Sequence, residues 1–194
     1  MSEWAREYPG AKLIGPEGLP EKRAKTASSG SDPRIGPEPF TTVFSASKDK
    51  PKLTTSISPE FDTDFQYEYV DAHPNKELVF FFKPDRVLIE ADLMFNLPAK
   101  EQYSRVPNGQ LKPPGGVLGR IFESLSSTEG EAKGIKRFLW HGLSRGDRMG
   151  FNQSVRRIQA WDFTTIVPCH GDTVVGNGKE VFNKVFAWHL EGKE

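Results

Sequence analysis

Cysteine is nearly absent from this chain of 194 residues, whose single thiol is Cys169. One cysteine excludes an internal disulfide and any zinc site built from several cysteines. We therefore expect a reducing compartment and a cytoplasmic location. Because adjacent residues of an extended segment point to opposite faces, Cys169 is predicted to be a small buried residue rather than a nucleophile paired with His170.

Net charge and long apolar runs are missing as well. Lys and Arg number 26, as do Asp and Glu, so no net positive field attracts a nucleic acid or an anionic membrane. The longest strongly apolar run, LVFFF at 78–82, is far shorter than the roughly 20 residues of a membrane span. We therefore expect neither nucleic acid nor membrane as a partner. The oligomeric state stays open.

The patterning predicts one mixed α/β domain over residues 1–194. Stretches rich in Gly, Pro and Ser predict flexible loops near 24–50 and 100–116. Alternating aromatic residues in FQYEYV (65–70) predict a strand, and ELVFFF and VLIEA, joined by KPDR, predict a buried hairpin. Pairing about this turn places Glu77 roughly opposite Asp92, with His73 just beyond. His73 and Asp92 are therefore expected at the same end of the hairpin.

The second half of the chain alternates helix, strand and helix. Apolar residues recur at helical spacing over 135–143 and 151–158, and again in NGKEVFNKVFAWHL, where Asn177 is a plausible cap. Between them, TTIV (164–167) predicts a short buried strand that delivers His170 at its carboxyl end. His73, Asp92 and His170 are thus each expected at the end of a buried strand. Their imidazole and carboxylate groups are ligand types that zinc accepts.

These segments, DAHPNKELVFFF, RVLIEADLMF and IVPCHGD, carry a resemblance. Their order is similar to the last three metal motifs of the metallo-β-lactamase superfamily, which includes hydroxyacylglutathione hydrolases. More closely, YPGAKLIGPEGLPEKR, KPDRVLIEADLMFNLP and PCHGD look like a largely fungal family known as a domain of unknown function, a divergent relative of that superfamily. The closer resemblance spans nearly the whole chain.

The resemblance implies an αββα sandwich and a zinc-dependent hydrolase of a small substrate, with one or two ions. His73, Asp92 and His170 match the metal ligands, and Asp92 matches the residue that bridges two ions. Asp172 is either a second-shell partner of the site or a cap of the turn PCHGD. The catalytic residues stay unassigned.

The chain departs from the superfamily pattern in two ways. Ala72, Ala91 and Cys169 stand where a glycine usually precedes each ligand. The HxHxDH motif is not found, since the four histidines form no HxH pair, and the resemblance implies a fold truncated at the amino terminus. The alternative is therefore a non-catalytic member of this fold that acts as a binding or interaction module.

A remote alternative rests on GLSRG, residues 142–146, which matches the GxSxG pattern of serine hydrolases. Ser144, followed by Asp162 or Asp172 and by His189, has the chain order of a catalytic triad. The preceding GEAKGIKRFLWH, however, has helical spacing and charged residues rather than the pattern of a buried strand. We therefore expect His141 and His189 to be structural.

Overall fold

The structure, a computed structural model, describes residues 1–46, 56–101, 104–107 and 116–192. It divides into two compact units, Met1–Thr63 and Asp64–Glu194. Helices and strands occur in both, so the class is mixed α/β, as predicted. The prediction of one domain over the whole chain stays a prediction.

The described residues of the first unit form three helices and a pair of short strands. In chain order these are α1 (Ser2–Glu7), β1 (Ile14–Pro16), α2 (Leu19–Ser29), β2 (Thr42–Phe44) and α3 (Pro59–Asp64), whose last residue belongs to the second unit. β1 and β2 pair in parallel.

The loop predicted over 24–50 is only partly a loop. Residues 24–29 form the second half of α2, which starts with Pro20 in its first turn and ends at Gly30 in a left-handed conformation. A buried network holds this helix, because Arg23 donates to Ser2 Oγ at 2.6 Å and to Glu38 Oε2 at 3.0 Å. These partners lie far apart in sequence, so composition did not reveal the helix. Residues 47–50 lie outside the described residues, as does most of the loop predicted near 100–116.

The second unit is built on a four-stranded sheet, with helices both before and after its last strand in sequence. Its elements are β3 (Phe65–Val70), β4 (Glu77–Phe82), β5 (Val87–Ile89), α4 (Gly116–Leu125), α5 (Lys133–Phe138), a π-helical turn (Leu139–Leu143), α6 (Arg148–Gln159), β6 (Thr165–Val167), α7 (Gly178–Val185) and α8 (Ala187–Glu191). The predicted carboxyl-terminal helix is therefore broken at Phe186.

The sheet order is β3-β4-β5-β6, with two antiparallel pairs and one parallel pair. The predicted hairpin about KPDR is confirmed, with Phe80 opposite Ile89 and Phe82 opposite Val87. Continued by three residues, that register sets Glu77 against Asp92, as expected. β5 pairs with β6 in parallel, so both strands end at the same edge of the sheet.

Apolar side chains from the strands and the later helices share one core. Its fully buried members include Val79, Leu88, Leu93, Met94, Ile135, Leu139, Phe151, Val155, Ile158, Phe163, Ile166, Phe182, Val185 and Phe186. Arg157 of α6 also binds Glu68 of β3 through two hydrogen bonds of 2.7 and 2.9 Å. Over the described ranges, no helix has the length and apolar character needed to cross a membrane.

Candidate metal centre

The candidate site forms where the chain leaves β5 and β6. Main-chain bonds continue between the two segments beyond the strands: Cys169 N donates to Glu90 O at 3.1 Å, and Asn96 N donates to His170 O at 3.0 Å. These two main-chain hydrogen bonds bring Asp92 beside His170, although the two residues are far apart in sequence. Ligand sites of α/β folds commonly lie at such carboxyl ends of strands.

Gly171 makes the close approach of the two segments possible. Its φ is +108°, and a Cβ built on it would lie 2.0 Å from the carbonyl oxygen of Asn96. No side chain fits at that distance, and L-residues rarely adopt such a φ. The glycine of PCHGD is therefore required by the backbone, whatever His170 does.

Asp92 and His170 are in direct contact. His170 Nε2 lies 3.1 Å from Asp92 Oδ1, and the two side chains are 52% and 30% exposed. The His170 ring also packs on Phe95, with the ring centroids 5.2 Å apart. Solvent or an ion can therefore reach a carboxylate and an imidazole that are already together.

His73 lies next to this pair but is buried. Its Nδ1 accepts a hydrogen bond from the Asn75 backbone at 3.2 Å, and Asn75 Nδ2 donates to Asp92 Oδ2 at 2.7 Å. Burial lowers the pKa of His73, and the Asp92 charge and backbone oppose that shift. Asn75 thus links His73 to Asp92, which in turn contacts His170. The place of Asn75 in the turn DAHPN did not reveal this role.

Two buried glutamates hold the loop that carries Asp92. Glu77 accepts from Ala91 N at 2.7 Å and Asp92 N at 3.1 Å, and Glu90 Oε2 accepts from Leu93 N at 2.8 Å and from the next amide at 3.2 Å. Burial raises the pKa of Glu77 and raises that of Glu90 well above its ordinary value. Sequence analysis missed both residues as site components. Glu77 at the start of a buried strand was the available signal.

Asp172 uses its carboxylate within the neighbouring turn. Its oxygens accept from Lys100 N at 3.1 Å and Glu101 N at 2.9 Å, and its carbonyl accepts from the Asn96 side chain at 2.7 Å. These bonds cap a second turn, at residues 100 and 101, rather than the turn PCHGD itself. A second-shell role for Asp172 stays a prediction.

Cys169 is exposed, so the prediction of a buried residue was wrong. Its neighbours explain the difference. Pro168 takes the buried position after β6. The Cys169 amide donates to the Glu90 carbonyl, and the Cys169 side chain is exposed.

Ser144 and His189, the residues of the serine-hydrolase alternative, do meet, but in the protein interior. Ser144 Oγ lies 3.1 Å from His189 Nε2 and donates to the Leu139 carbonyl at 2.9 Å. Both side chains are fully buried, and Ser144 follows a π-helical turn rather than a strand. Because the hydroxyl proton is committed to a carbonyl, His189 donates to this serine instead of accepting from it. His189 and Ser144 are therefore enclosed in the interior, and the geometry is not that of an exposed nucleophile.

The predicted ligands fit a zinc ion in part. Carboxylate and imidazole are the right donor types, and Asp92 with His170 is reachable. His73 Nε2 is buried and makes no hydrogen bond to any described residue. Its Nδ1, however, accepts a hydrogen bond from Asn75 N, whereas a zinc-bound histidine normally donates a hydrogen bond from its second nitrogen. Within the described ranges, no three His, Cys, Asp or Glu side chains are grouped as a ready metal site.

Comparison with known proteins leaves the family open. The chain matches no protein-family model, and no curated protein matches it.

Proposed function

We propose that this chain binds a divalent metal, zinc by its donor types, at Asp92 and His170, and hydrolyses a small substrate there. The observation that carries the proposal is the 3.1 Å contact between Asp92 Oδ1 and His170 Nε2 at the shared end of β5 and β6. The proposal includes His73 as a further ligand, the αββα arrangement that the resemblance implies, and a cytoplasmic location.

Each of these residues has a separate part. Asp92 would supply a carboxylate ligand to one ion, or to each of two ions. His170, the more exposed of the two side chains, would supply a neutral imidazole. His73 joins them once its ring carries the proton on Nδ1, which requires the Asn75 amide to move away. A bound zinc ion lowers the pKa of its water to about 7, so that hydroxide is available near neutral pH.

One observation favours the alternative of a non-catalytic binding or interaction module. Asn75 donates to His73 Nδ1 through its backbone and to Asp92 Oδ2 through its side chain, so these two residues are joined without a cation. In this alternative, four residues hold together the loops that carry them: His73, Asn75, Asp92 and His170. The surface formed by these loops binds a partner.

Metal analysis of the purified chain tests the two proposals. If it is a metalloprotein, we expect roughly one zinc per chain, bound at least about 10-fold more weakly after Asp92→Asn or His170→Ala. Glu180→Gln and His141→Ala, which alter an exposed carboxylate and an exposed imidazole, are the matched controls.

Hydrolysis of ester, thioester and phosphodiester probes, lost with a chelator and restored by zinc, would support catalysis. A folded chain that binds no zinc, and whose zinc content and hydrolysis rates are the same after Asp92→Asn, would overturn the hydrolase proposal and favour the module.

A further inference from the structure

We infer that Glu77 is a positioning residue, whose buried carboxylate sets the backbone of Asp92 so that the Asp92 side chain meets His170. The cation-binding part of this inference rests on the proposed function, whereas the positioning part does not. The resemblance assigns no role to Glu77.

The geometry begins with the end of β5 at Ile89. Beyond that residue, no main-chain pair joins residues 91 and 92 to β4. The side chain of Glu77, the first residue of β4, takes over and accepts from Ala91 N at 2.7 Å and Asp92 N at 3.1 Å. One carboxylate thus continues the strand pairing by two residues.

Glu90 holds the next two amides in the same way, those of Leu93 and Met94. Four consecutive amides, from residue 91 to residue 94, are therefore bound by two buried carboxylates. The turn cannot rotate without breaking hydrogen bonds to both buried carboxyl groups.

The two glutamates bind different amides and therefore have different roles. Glu77 binds the amide of Asp92 itself, while Glu90 binds the amides that lead into the core at Leu93 and Met94, both fully buried. We therefore assign Glu77 to the orientation of Asp92 and Glu90 to the anchoring of the loop that follows.

Amide hydrogen exchange in Glu77→Gln is the first test. The glutamine keeps the size of the side chain but turns one acceptor into an NH₂ that faces an amide. We expect the protection of the Ala91 and Asp92 amides to fall about 10- to 100-fold, while the Leu93 and Met94 amides keep theirs. Glu90→Gln is the matched control, with the opposite pair affected.

The second readout is the His170 ring. Nitrogen chemical shifts of the metal-free protein report its tautomer, which the Asp92 contact biases toward Nε2–H. We expect Glu77→Gln to reduce this bias. If the protein binds zinc, zinc affinity should also fall at least about 10-fold.

The outcomes separate the two proposals. Unchanged protection at Ala91 and Asp92, or an unchanged His170 tautomer, overturns the positioning role. A wild-type chain that binds no zinc overturns the proposed function, while loss of protection and of tautomer bias still supports positioning. Should Glu77→Gln not fold, Glu77→Asp, which keeps the charge but is too short to reach both amides, is measured in the same way.

Discussion

Ser144 and His189, which are distant in sequence, form a hydrogen bond of 3.1 Å inside the second unit, where neither side chain is exposed. The rings of Trp140, Phe151 and Phe186 surround the imidazole, with centroids 5.0 to 5.8 Å from its own. A π-helical turn makes the pair possible, because Ser144 closes that turn on the Leu139 carbonyl through both its amide and its hydroxyl.

Removal of the Ser144 hydroxyl should destabilise the fold. Ser144→Ala leaves the buried Nε2–H of His189 without an acceptor, so we expect the free energy of unfolding to fall by about 2 kcal/mol. Urea denaturation measures the change, and Ser124→Ala at an exposed position of α4 is the control. Equal stability of both variants would contradict the hydrogen bond.

Stability should also decrease in mild acid because of His189. Burial, with a further contribution from Arg148, lowers its pKa from 6.5 to about 4. Between these values the unfolded chain binds a proton that the folded chain does not, so the contribution is full above pH 6.5 and is lost as the pH falls toward 4. The loss is about 3 kcal/mol at most.

Denaturation at several pH values checks this expectation, with His189→Phe as the test variant. The variant should show a smaller loss between pH 6.5 and 4. Some loss should remain, because burial also lowers the pKa of His73. An identical pH dependence in the two proteins would rule out His189 as its source.

Gly171 should tolerate no side chain. Gly171→Ala forces a Cβ against the Asn96 carbonyl, and we expect a cost of about 3 kcal/mol or more. Gly176 is the matched control, because its φ is +85° but its Cβ position is open. Gly176→Ala should therefore cost only about 1 kcal/mol. Similar melting temperatures for the two variants would argue against the close approach of the two segments.

The amino-terminal caps of α6 and α7 should contribute differently to the free energy of unfolding. Asp147 accepts from Gly150 N at 2.9 Å at the start of α6, whereas Asn177 precedes α7 without a side-chain cap bond. Asp147→Ala should thus cost about 1 kcal/mol, and Asn177→Ala less than about 0.5 kcal/mol. Chemical denaturation decides, and a larger cost at Asn177 would contradict this assignment.

Cys169 should react with a thiol reagent in the folded protein, since its side chain is exposed. Labelling at neutral pH without denaturant, followed by mass spectrometry, tests this. Reaction only after unfolding would restore the buried position that the sequence pattern indicated.

The hairpin shows how far sequence reasoning reached. Apolar runs of strand length and a Pro-Asp turn predicted β4, β5 and their register, and therefore the position of Glu77 opposite Asp92. Helical spacing located α6 and most of α7. The hydrogen-bond chain through Asn75, the two glutamate clamps and the exposure of Cys169 were not predicted, because a side chain that binds a distant backbone amide leaves no periodic trace in sequence.

The sequence by itself determined the local elements, since strand and helix periods, turn residues and Gly171 express forces between residues close in the chain. It also supplied the candidate residues His73, Asp92 and His170. Only the tertiary structure decided the long-range contacts: parallel pairing of β5 with β6 put His170 on Asp92, the Asn75 side chain joined the His73 turn to Asp92, and packing enclosed Ser144 with His189. Those contacts depend on how segments far apart in sequence pack together, and packing is a property of the whole unit rather than of any one segment.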